Sequence, residues 1–245
     1  MDFDFTDDQE QLRDAVRKWV DKGYSFDRRR RITAECGFSR EAYGELAELG
    51  LTGLYVPEAH DGMGMGPTEA MVVMEELGRG MVLEPLGQTL MAGAVLAGYA
   101  PDAVKAVWLP KIASGESLVV LAHQERGARY NLARCEAKAV LSQQKWTLTA
   151  TKSIVPSGDY ADAFMMPAMA DGKLALFLVE RTATGVTTQG YGTQDGGRAA
   201  EVTLKDAPVT LITLEGTTAL THAVDIGIAN TCARDRRPAA SGQDH

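Results

Sequence analysis

The sequence has little cysteine: Cys36, Cys135 and Cys232 are the three in 245 residues, and no two form a CxxC pair. None of them stands at a metal-ligand spacing from the four scattered histidines. The pattern therefore predicts neither a disulfide framework nor a metal site. Three reduced thiols are typical of a cytoplasmic protein.

Positive charge is also in deficit, because 25 basic residues stand against 33 acidic ones and the formal net charge is -8. Such a chain repels phosphate backbones and anionic lipid heads. One basic run, at residues 28–31, favours a solvated loop or helix face over an anion contact. We expect no nucleic-acid partner.

Long apolar runs and a secretory leader are lacking too. Residues 1–5 (MDFDF) have neither a positive start nor an apolar stretch. No later run is apolar over the length needed to cross a bilayer. The sequence predicts a cytoplasmic protein without membrane insertion.

The common catalytic motifs GxSxG, HExxH and GxxxxGK[ST] are missing. A glycine-rich stretch, GMGMG at residues 62–66, could in principle hold a pyrophosphate. A dinucleotide loop, however, follows a buried parallel strand, whereas this stretch lies between helical patterns. We interpret it as a plain turn.

The first half of the chain has the apolar spacing of helices. A capping box at residues 6–9 precedes a stripe through Leu12, Val16 and Val20. Ser39 and Pro67 mark the starts of two further helices, and residues 86–99 and 101–112 continue the pattern. The sequence predicts an all-α N-terminal domain at residues 1–113.

The apolar period changes to two after residue 117, as at residues 146–151, 174–179 and 200–204. The connections are too short for crossover helices. This predicts a small antiparallel β-barrel as the middle domain, residues 114–213, and excludes a doubly wound parallel sheet.

A last helical pattern begins at Ala219 and Leu220 but loses its apolar stripe at Thr231. We interpret residues 214–245 as the truncated start of a C-terminal helical domain followed by an irregular tail. The fold class expected is α+β, and the sequence is expected to stop before its last domain is complete.

Several phrases occur in an order that resembles the N-terminal and middle domains of acyl-CoA dehydrogenases. They are FTDDQ at 5–9, LAELGL at 46–51, EELGR at 75–79, WLPKIASGE at 108–116 and KWTL at 145–148. The phrases at 184–186 and 198–202 are most similar to the small-subunit, pimeloyl-CoA dehydrogenase-like branch.

This resemblance implies a flavoprotein that binds FAD between its middle domain and a C-terminal helical domain. In such proteins a glutamate removes the α-proton of an acyl-CoA thioester, and the electrons pass on to an acceptor. The helices that carry this glutamate would follow the present chain, so no catalytic residue is assigned. A homo-oligomer, or a hetero-oligomer with a related full-length subunit, is the implied assembly.

The resemblance also implies site residues. HQERGARYN at 123–131 and IVPS at 154–157 stand where the family has its flavin loops. The residues assigned to FAD are His123, Gln124, Ala128, Ile154, Val155 and Pro156, and Tyr130 is assigned to the substrate. Both phrases depart from the family pattern, and Pro156 has neither a hydroxyl nor an N–H to offer a flavin.

Two hypotheses follow. The first is an acyl-CoA dehydrogenase-like flavoprotein that desaturates a thioester but is inactive alone. The alternative is a non-catalytic partner subunit of a heteromeric acyl-CoA dehydrogenase, which the departures at Gln124 and Pro156 would allow.

Overall fold

The structure is a computed structural model and describes residues 5–235. Six α-helices come first and pack as one helical unit, with two 3-10 turns between the third and fourth. The helices are α1 Asp7–Gly23, α2 Phe26–Glu35, α3 Arg40–Glu48, α4 Pro67–Arg79, α5 Leu86–Tyr99 and α6 Asp102–Ala113. The turns are Leu51–Gly53 and Glu58–His60.

The predicted capping box is present at the start of α1. Thr6 Oγ1 accepts a hydrogen bond from Gln9 N at 3.3 Å, and Gln9 Oε1 accepts one from Thr6 N at 3.0 Å. Val16 and Val20 are buried as expected. Together the two bonds satisfy orphan N–H groups of the first turn, which fixes where α1 begins.

Helix α2 was not predicted, because its four arginines hide the apolar spacing. Ser25 caps it, and only Ile32 is buried. The basic run proves to be partly structural: Arg28 makes two hydrogen bonds to the Glu45 carboxylate, at 2.7 and 2.9 Å. The next two residues of the run differ, since Arg29 bonds to backbone carbonyls and Arg30 is exposed.

The glycine-rich stretch before α4 is a loop that folds back on the first 3-10 turn, as the turn interpretation predicted. Met63 N and Met65 N donate to the carbonyls of Gly53 and Leu54. A side chain at Gly62 would overlap the backbone of Val56. The glycines therefore serve close backbone packing.

Seven strands form the second unit. They are β1 Val119–Leu121, β2 Lys138–Ser142, β3 Lys145–Pro156, β4 Ala163–Ala170, β5 Lys173–Glu180, β6 Val186–Gly192 and β7 Arg198–Thr213. The order is β1-β4-β2-β3-β7-β5, and a β4–β5 pairing closes five of them into a barrel, while β6 extends β7. The α+β class and the barrel are confirmed.

One part of the antiparallel prediction is wrong. Strand β1 pairs with β4 in parallel, with Val119 opposite Ala163, and β2 meets β4 in parallel at a single residue pair. A parallel pairing became possible because β1 and β4 are separated by the β2–β3 hairpin, which serves as the long connection. The remaining pairings are antiparallel.

The last described element, α7, spans Gly216–Arg234. The predicted loss of the helix at Thr231 is wrong, since the buried face continues through Asn230 and Ala233. Asn230 stands where the stripe would have an apolar residue, and this breaks the apolar period just before Thr231. The predicted irregular tail lies at residues 236–245, outside the described residues.

None of the helices described is both long enough and apolar enough to cross a bilayer. The division of the chain at residues 113 and 213 stays a prediction, although α6 ends at Ala113 and β7 ends at Thr213. Three buried clusters tie the parts together: one fills the barrel, one joins α5, α6 and α7 to the sheet, and one lies among the N-terminal helices.

Candidate active site

A cavity of about 950 Å³ lies where the helical unit, the barrel and α7 meet. Its walls are helices α4 and α5, the segment after β1, the end of β3, the β6–β7 turn and one side of α7. Ligand pockets in proteins usually measure ~300 to 1,000 Å³, so this one can hold a large ligand or two adjoining ones.

The barrel wall is formed by the last residues of β3. The pairing of β3 with β7 is interrupted between Lys152 and Val155, and Ile154 sits in this irregularity with a φ of 53°. A β-branched residue rarely adopts a positive φ. Although it is apolar, Ile154 is 57% exposed and faces the cavity. The irregularity thus presents an apolar surface to the cavity.

His123 and Gln124 border this surface from the segment after β1. The backbone carbonyl of Gln124 accepts a hydrogen bond from Ser153 N at 2.9 Å, which ties the two segments together. His123 Nδ1 is buried and has no hydrogen-bond partner among the described residues. Burial, and then the positive charge of Lys152, lowers the pKa of His123, so its imidazole is neutral at pH 7.

A buried ion pair supports these two segments from inside the barrel. Lys152 has no solvent exposure, and its Nζ lies 2.6 Å from Glu125 Oε1. Glu125 also accepts hydrogen bonds from Glu136 N and Ala137 N. Because Glu125 follows Gln124 and Lys152 precedes Ser153, the pair holds in place the two cavity-lining segments, the one after β1 and the end of β3.

Helix α7 forms the opposite wall and approaches α4 and α5 closely. A side chain at Gly78 would overlap the Arg234 carbonyl oxygen, and a Cβ at Gly227 would lie 2.9 Å from Met91 Sδ. Glycines at these two positions therefore permit the helix contacts. The cavity is lined along α7 from Val224 to Arg234.

Of the seven residues assigned from the sequence, five line the cavity: His123, Gln124, Ile154, Val155 and Pro156. The other two do not. Ala128 lies at a smaller hollow behind His123, and Tyr130 is 96% exposed. The expected roles of all seven stay predictions.

The sequence interpretation did not single out several cavity residues, among them Gly87, Gln88, Asp195, Arg198 and Asn230. Gln88 Oε1 accepts a hydrogen bond from Leu121 N at 3.0 Å and so joins α5 to β1. No motif marks these positions, because they converge from separate elements. The loop after β1 was found only through the phrase at 123–131.

Asp195 is the single carboxylate among the cavity-lining residues that the structure describes. It accepts hydrogen bonds from Thr193 Oγ1 at 2.5 Å and from Gly197 N at 3.1 Å. The Thr193 hydroxyl and then the Gly197 N–H lower the pKa of Asp195 below its usual value. A carboxylate so strongly bonded is a poor proton acceptor. Across residues 5–235 no cluster of histidine, cysteine, aspartate and glutamate could hold a metal ion.

Comparison with known proteins agrees with this architecture. Residues 6–116 match the family model "Acyl-CoA dehydrogenase, N-terminal domain". The chain is 27% identical over 236 residues to acyl-CoA dehydrogenase FadE27 of Mycobacterium tuberculosis. This match covers 96% of this chain and 61% of that protein.

Two solved structures show the same fold over both units. The steroid ACAD Tcur3481–Tcur3483 superposes with a TM-score of 0.85 at 27% identity, covering 93% of this chain and 62% of that one. The ChsE4–ChsE5 complex of Mycobacterium tuberculosis gives 0.82 at 27% identity, covering 95% and 63%. The chain thus spans about three fifths of the length of these relatives. In sequence over residues 6–116 and in fold over both units, the chain is similar to acyl-CoA dehydrogenases.

Proposed function

We propose that this chain binds FAD against the end of β3 and an acyl-CoA thioester between α5 and α7, as part of an acyl-CoA dehydrogenase. The observation that carries the proposal is the exposed Ile154 side chain, held in a strained backbone at the same cavity as His123, whose Nδ1 has no hydrogen-bond partner within residues 5–235. Strained exposed residues of this kind are concentrated at ligand sites.

The residues present fit a flavin. A flavin ring system has a flat apolar face and a polar edge, and here Ile154 and Val155 offer an apolar surface. Around it stand the His123 imidazole and the Gln124 amide, whose side chain makes no hydrogen bond to the described residues. These two groups and the neighbouring Ser157 would supply the bonds that Pro156 cannot. Bound FAD would supply the hydride acceptor for α,β-desaturation.

The chain's own contribution is to bind and orient the thioester and to exclude water. Helices α4, α5 and α7 give the cavity an apolar lining through Met74, Met91 and Val224, respectively. The α-proton needs a carboxylate within reach, and Asp195 is already bonded. We therefore assign the proton acceptor to a group outside residues 5–235, in a further segment or a partner chain.

Flavin binding is tested by mixing the purified chain with excess FAD, removing free FAD by gel filtration and recording the visible absorbance. We expect a yellow protein with about one FAD per chain. The variant His123→Ala should retain less FAD, whereas Lys173→Ala, at the exposed start of β5, should retain as much as the wild type. Equal retention in both variants would contradict the assigned site.

A second candidate function, the partner subunit of a heteromer, has an observation in its favour. Both structural relatives described above are named for two components, ChsE4–ChsE5 and Tcur3481–Tcur3483. A chain that lends its cavity to a full-length homologue would desaturate thioesters only in that assembly. Co-expression with such a homologue, followed by gel filtration and an assay, distinguishes the two functions: activity of the separate chain would exclude the partner role.

A further inference from the structure

Asn230 interrupts the buried face of α7 with a polar side chain. It is only 4% exposed, its Nδ2 is buried, and no acceptor among residues 5–235 bonds to that nitrogen. Buried side-chain donors are nearly always paired in folded proteins. Because Asn230 also lines the cavity, its missing partner is best sought in whatever fills the cavity.

The surroundings of Asn230 are apolar, and the facing residue on α5 has no side chain. A Cβ added at Gly87, on α5, would lie 3.9 Å from Asn230 Nδ2 and 3.8 Å from Met74 Cε. The absence of a side chain at Gly87 keeps this space open. Met74 and Leu83 complete an apolar lining in which the amide is an isolated polar point.

A positively charged side chain on the same helix also favours a hydrogen-bond acceptor as the partner of Asn230. Arg234, one turn after Asn230, also lines the cavity and donates a hydrogen bond to the Val82 carbonyl. No carboxylate of the described chain lies within 4.0 Å of its guanidinium. Asp195 and Glu84 act on the Arg234 charge and partly offset it, so this part of the cavity chiefly offers hydrogen-bond donors, which suit an acceptor oxygen.

We propose that Asn230 binds an oxygen atom of the acyl group, remote from the thioester, so that the substrate is an oxygen-substituted acyl-CoA rather than a plain alkanoyl-CoA. This inference rests on the proposed function, because it takes the cavity as the acyl site. The common feature is an acceptor oxygen, which a hydroxyl, a keto group or a carboxylate can each provide. Sites built to hydrogen-bond such a group discriminate strongly against analogues that lack it, since the donor is then left unpaired.

The test measures binding of CoA thioesters to the purified chain by titration calorimetry, with and without FAD. The probes are hexanoyl-CoA and its 6-hydroxy, 5-oxo and 6-carboxy derivatives. We expect at least one oxygenated ester to bind roughly tenfold or more tightly than hexanoyl-CoA. Equal affinities would overturn the proposal, since Asn230 would then be satisfied by water alone. Absence of binding by all four esters would overturn it as well.

Two variants assign any preference to the amide. Asn230→Leu, which keeps the branching at Cγ but has no donor, should lose the preference while binding hexanoyl-CoA at least as tightly. Asn230→Asp, which keeps the shape but loses the donor, should bind the oxygenated esters more weakly than the wild type. Thr221→Val, exposed on the same helix, should leave every affinity unchanged. A preference that survives in both Asn230 variants would overturn the proposal.

The outcome is independent of the flavin result. If the chain retains no FAD yet prefers an oxygenated ester through Asn230, the flavin site fails and the oxygen-binding role stands. If FAD is retained and all esters bind alike, the flavin site stands and the role of Asn230 fails.

Discussion

Lys152 is the most enclosed charge in the described chain, and its partners are all inside the barrel. Besides Glu125, its Nζ contacts the Pro167 carbonyl at 2.9 Å and Cys135 Sγ at 3.8 Å. Removing one member of such a pair leaves an uncompensated buried charge, which is far more costly than removing both. The pair is therefore best understood as a positioning device for the two segments that carry the cavity rim.

Lys152→Met should lower the free energy of unfolding by ~3 to 5 kcal/mol, because Glu125 would remain buried without its cation. The double variant Lys152→Met/Glu125→Leu should recover part of that loss. Urea unfolding followed by circular dichroism measures both, and Lys138→Met, an exposed lysine on β2, is the matched control. A double variant less stable than Lys152→Met would show that the ion pair is not the source of the effect.

The Ile154 side chain should lower the free energy of unfolding of the free chain and support FAD binding. Its left-handed backbone costs ~1 to 3 kcal/mol, and glycine relieves this cost at the expense of ~0.4 to 1 kcal/mol of unfolded-state entropy. Ile154→Gly should therefore stabilise the free chain by ~1 kcal/mol and weaken FAD retention, because the apolar surface is lost.

The conservative change Ile154→Val provides the control, since valine keeps both the strain and most of the apolar surface. Its unfolding free energy and its FAD retention should stay near those of the wild type. Urea unfolding and visible absorbance measure the two properties. If the glycine variant is less stable than the valine variant, the positive φ at this position is not a source of strain.

At the scale of elements, the close contact between α4 and α7 rests on Gly78. Gly78→Ala would place a methyl group on the Arg234 carbonyl and should cost ~1 to 3 kcal/mol by overpacking. We expect faster amide hydrogen exchange in α7 than in the wild type. Gly44→Ala, within α3, meets nothing within 4 Å and should instead stabilise by up to ~1 kcal/mol. Equal exchange in α7 of the two variants would contradict the packing role of Gly78.

Elements with a strong apolar period were predictable from the sequence, and those that break the period were not. The capping box of α1 made that helix predictable. Helix α2 buries a single apolar side chain, Ile32, so no apolar spacing predicted it. Asn230 made α7 look shorter than it is. Strand β1 has three buried residues and no alternation of apolar and polar side chains, so its parallel pairing with β4 could not be predicted from the sequence.

The candidate site was predictable only where it lies in contiguous phrases. His123 and Ile154 belong to two short segments that the family resemblance marked, and both line the cavity. Gly87 and Asn230 come from separate helices, and only packing brings them together. Tyr130 shows the reverse error: adjacency in the phrase at 123–131 did not place it at the cavity, because the chain turns outward there.

At the scale of the whole molecule, the cavity exists because three parts of the chain meet without filling the space between them. The barrel contributes a strained apolar rim, α5 contributes Gly87, and α7 contributes Asn230. A buried apolar cluster joins α5, α6 and α7 to the sheet, and ion pairs add to it, as where Arg40 of α3 pairs with Asp162 beside β4 at 3.0 Å. Stability of the assembly should therefore respond to the ionisation of its carboxylates.

Within the described part of the chain, five carboxyl groups have pKa values below their ordinary range, four of them through arginine, lysine or amide partners. For Glu45 the cause is Arg28, for Glu69 it is Gln9, and for Asp195 it is Thr193. Burial opposes the lowered pKa of the other two, Glu76 and Glu125, but arginine and lysine hydrogen bonds outweigh it. A carboxyl group whose folded pKa is lowered contributes stability above its unfolded pKa and loses it as pH falls through the folded value.

Acidification from neutral pH should consequently lower the thermal unfolding midpoint, beginning as pH nears the ordinary glutamate pKa of 4.5 and continuing below it. Glu84 opposes the trend, because burial raises its pKa and its contribution is therefore present at low pH and lost as pH rises. Glu84→Gln should make the fall steeper. Circular dichroism melts between neutral pH and about pH 3 measure both curves. A wild-type midpoint that rises on acidification would mean that buried carboxyls such as Glu84 outweigh the paired ones.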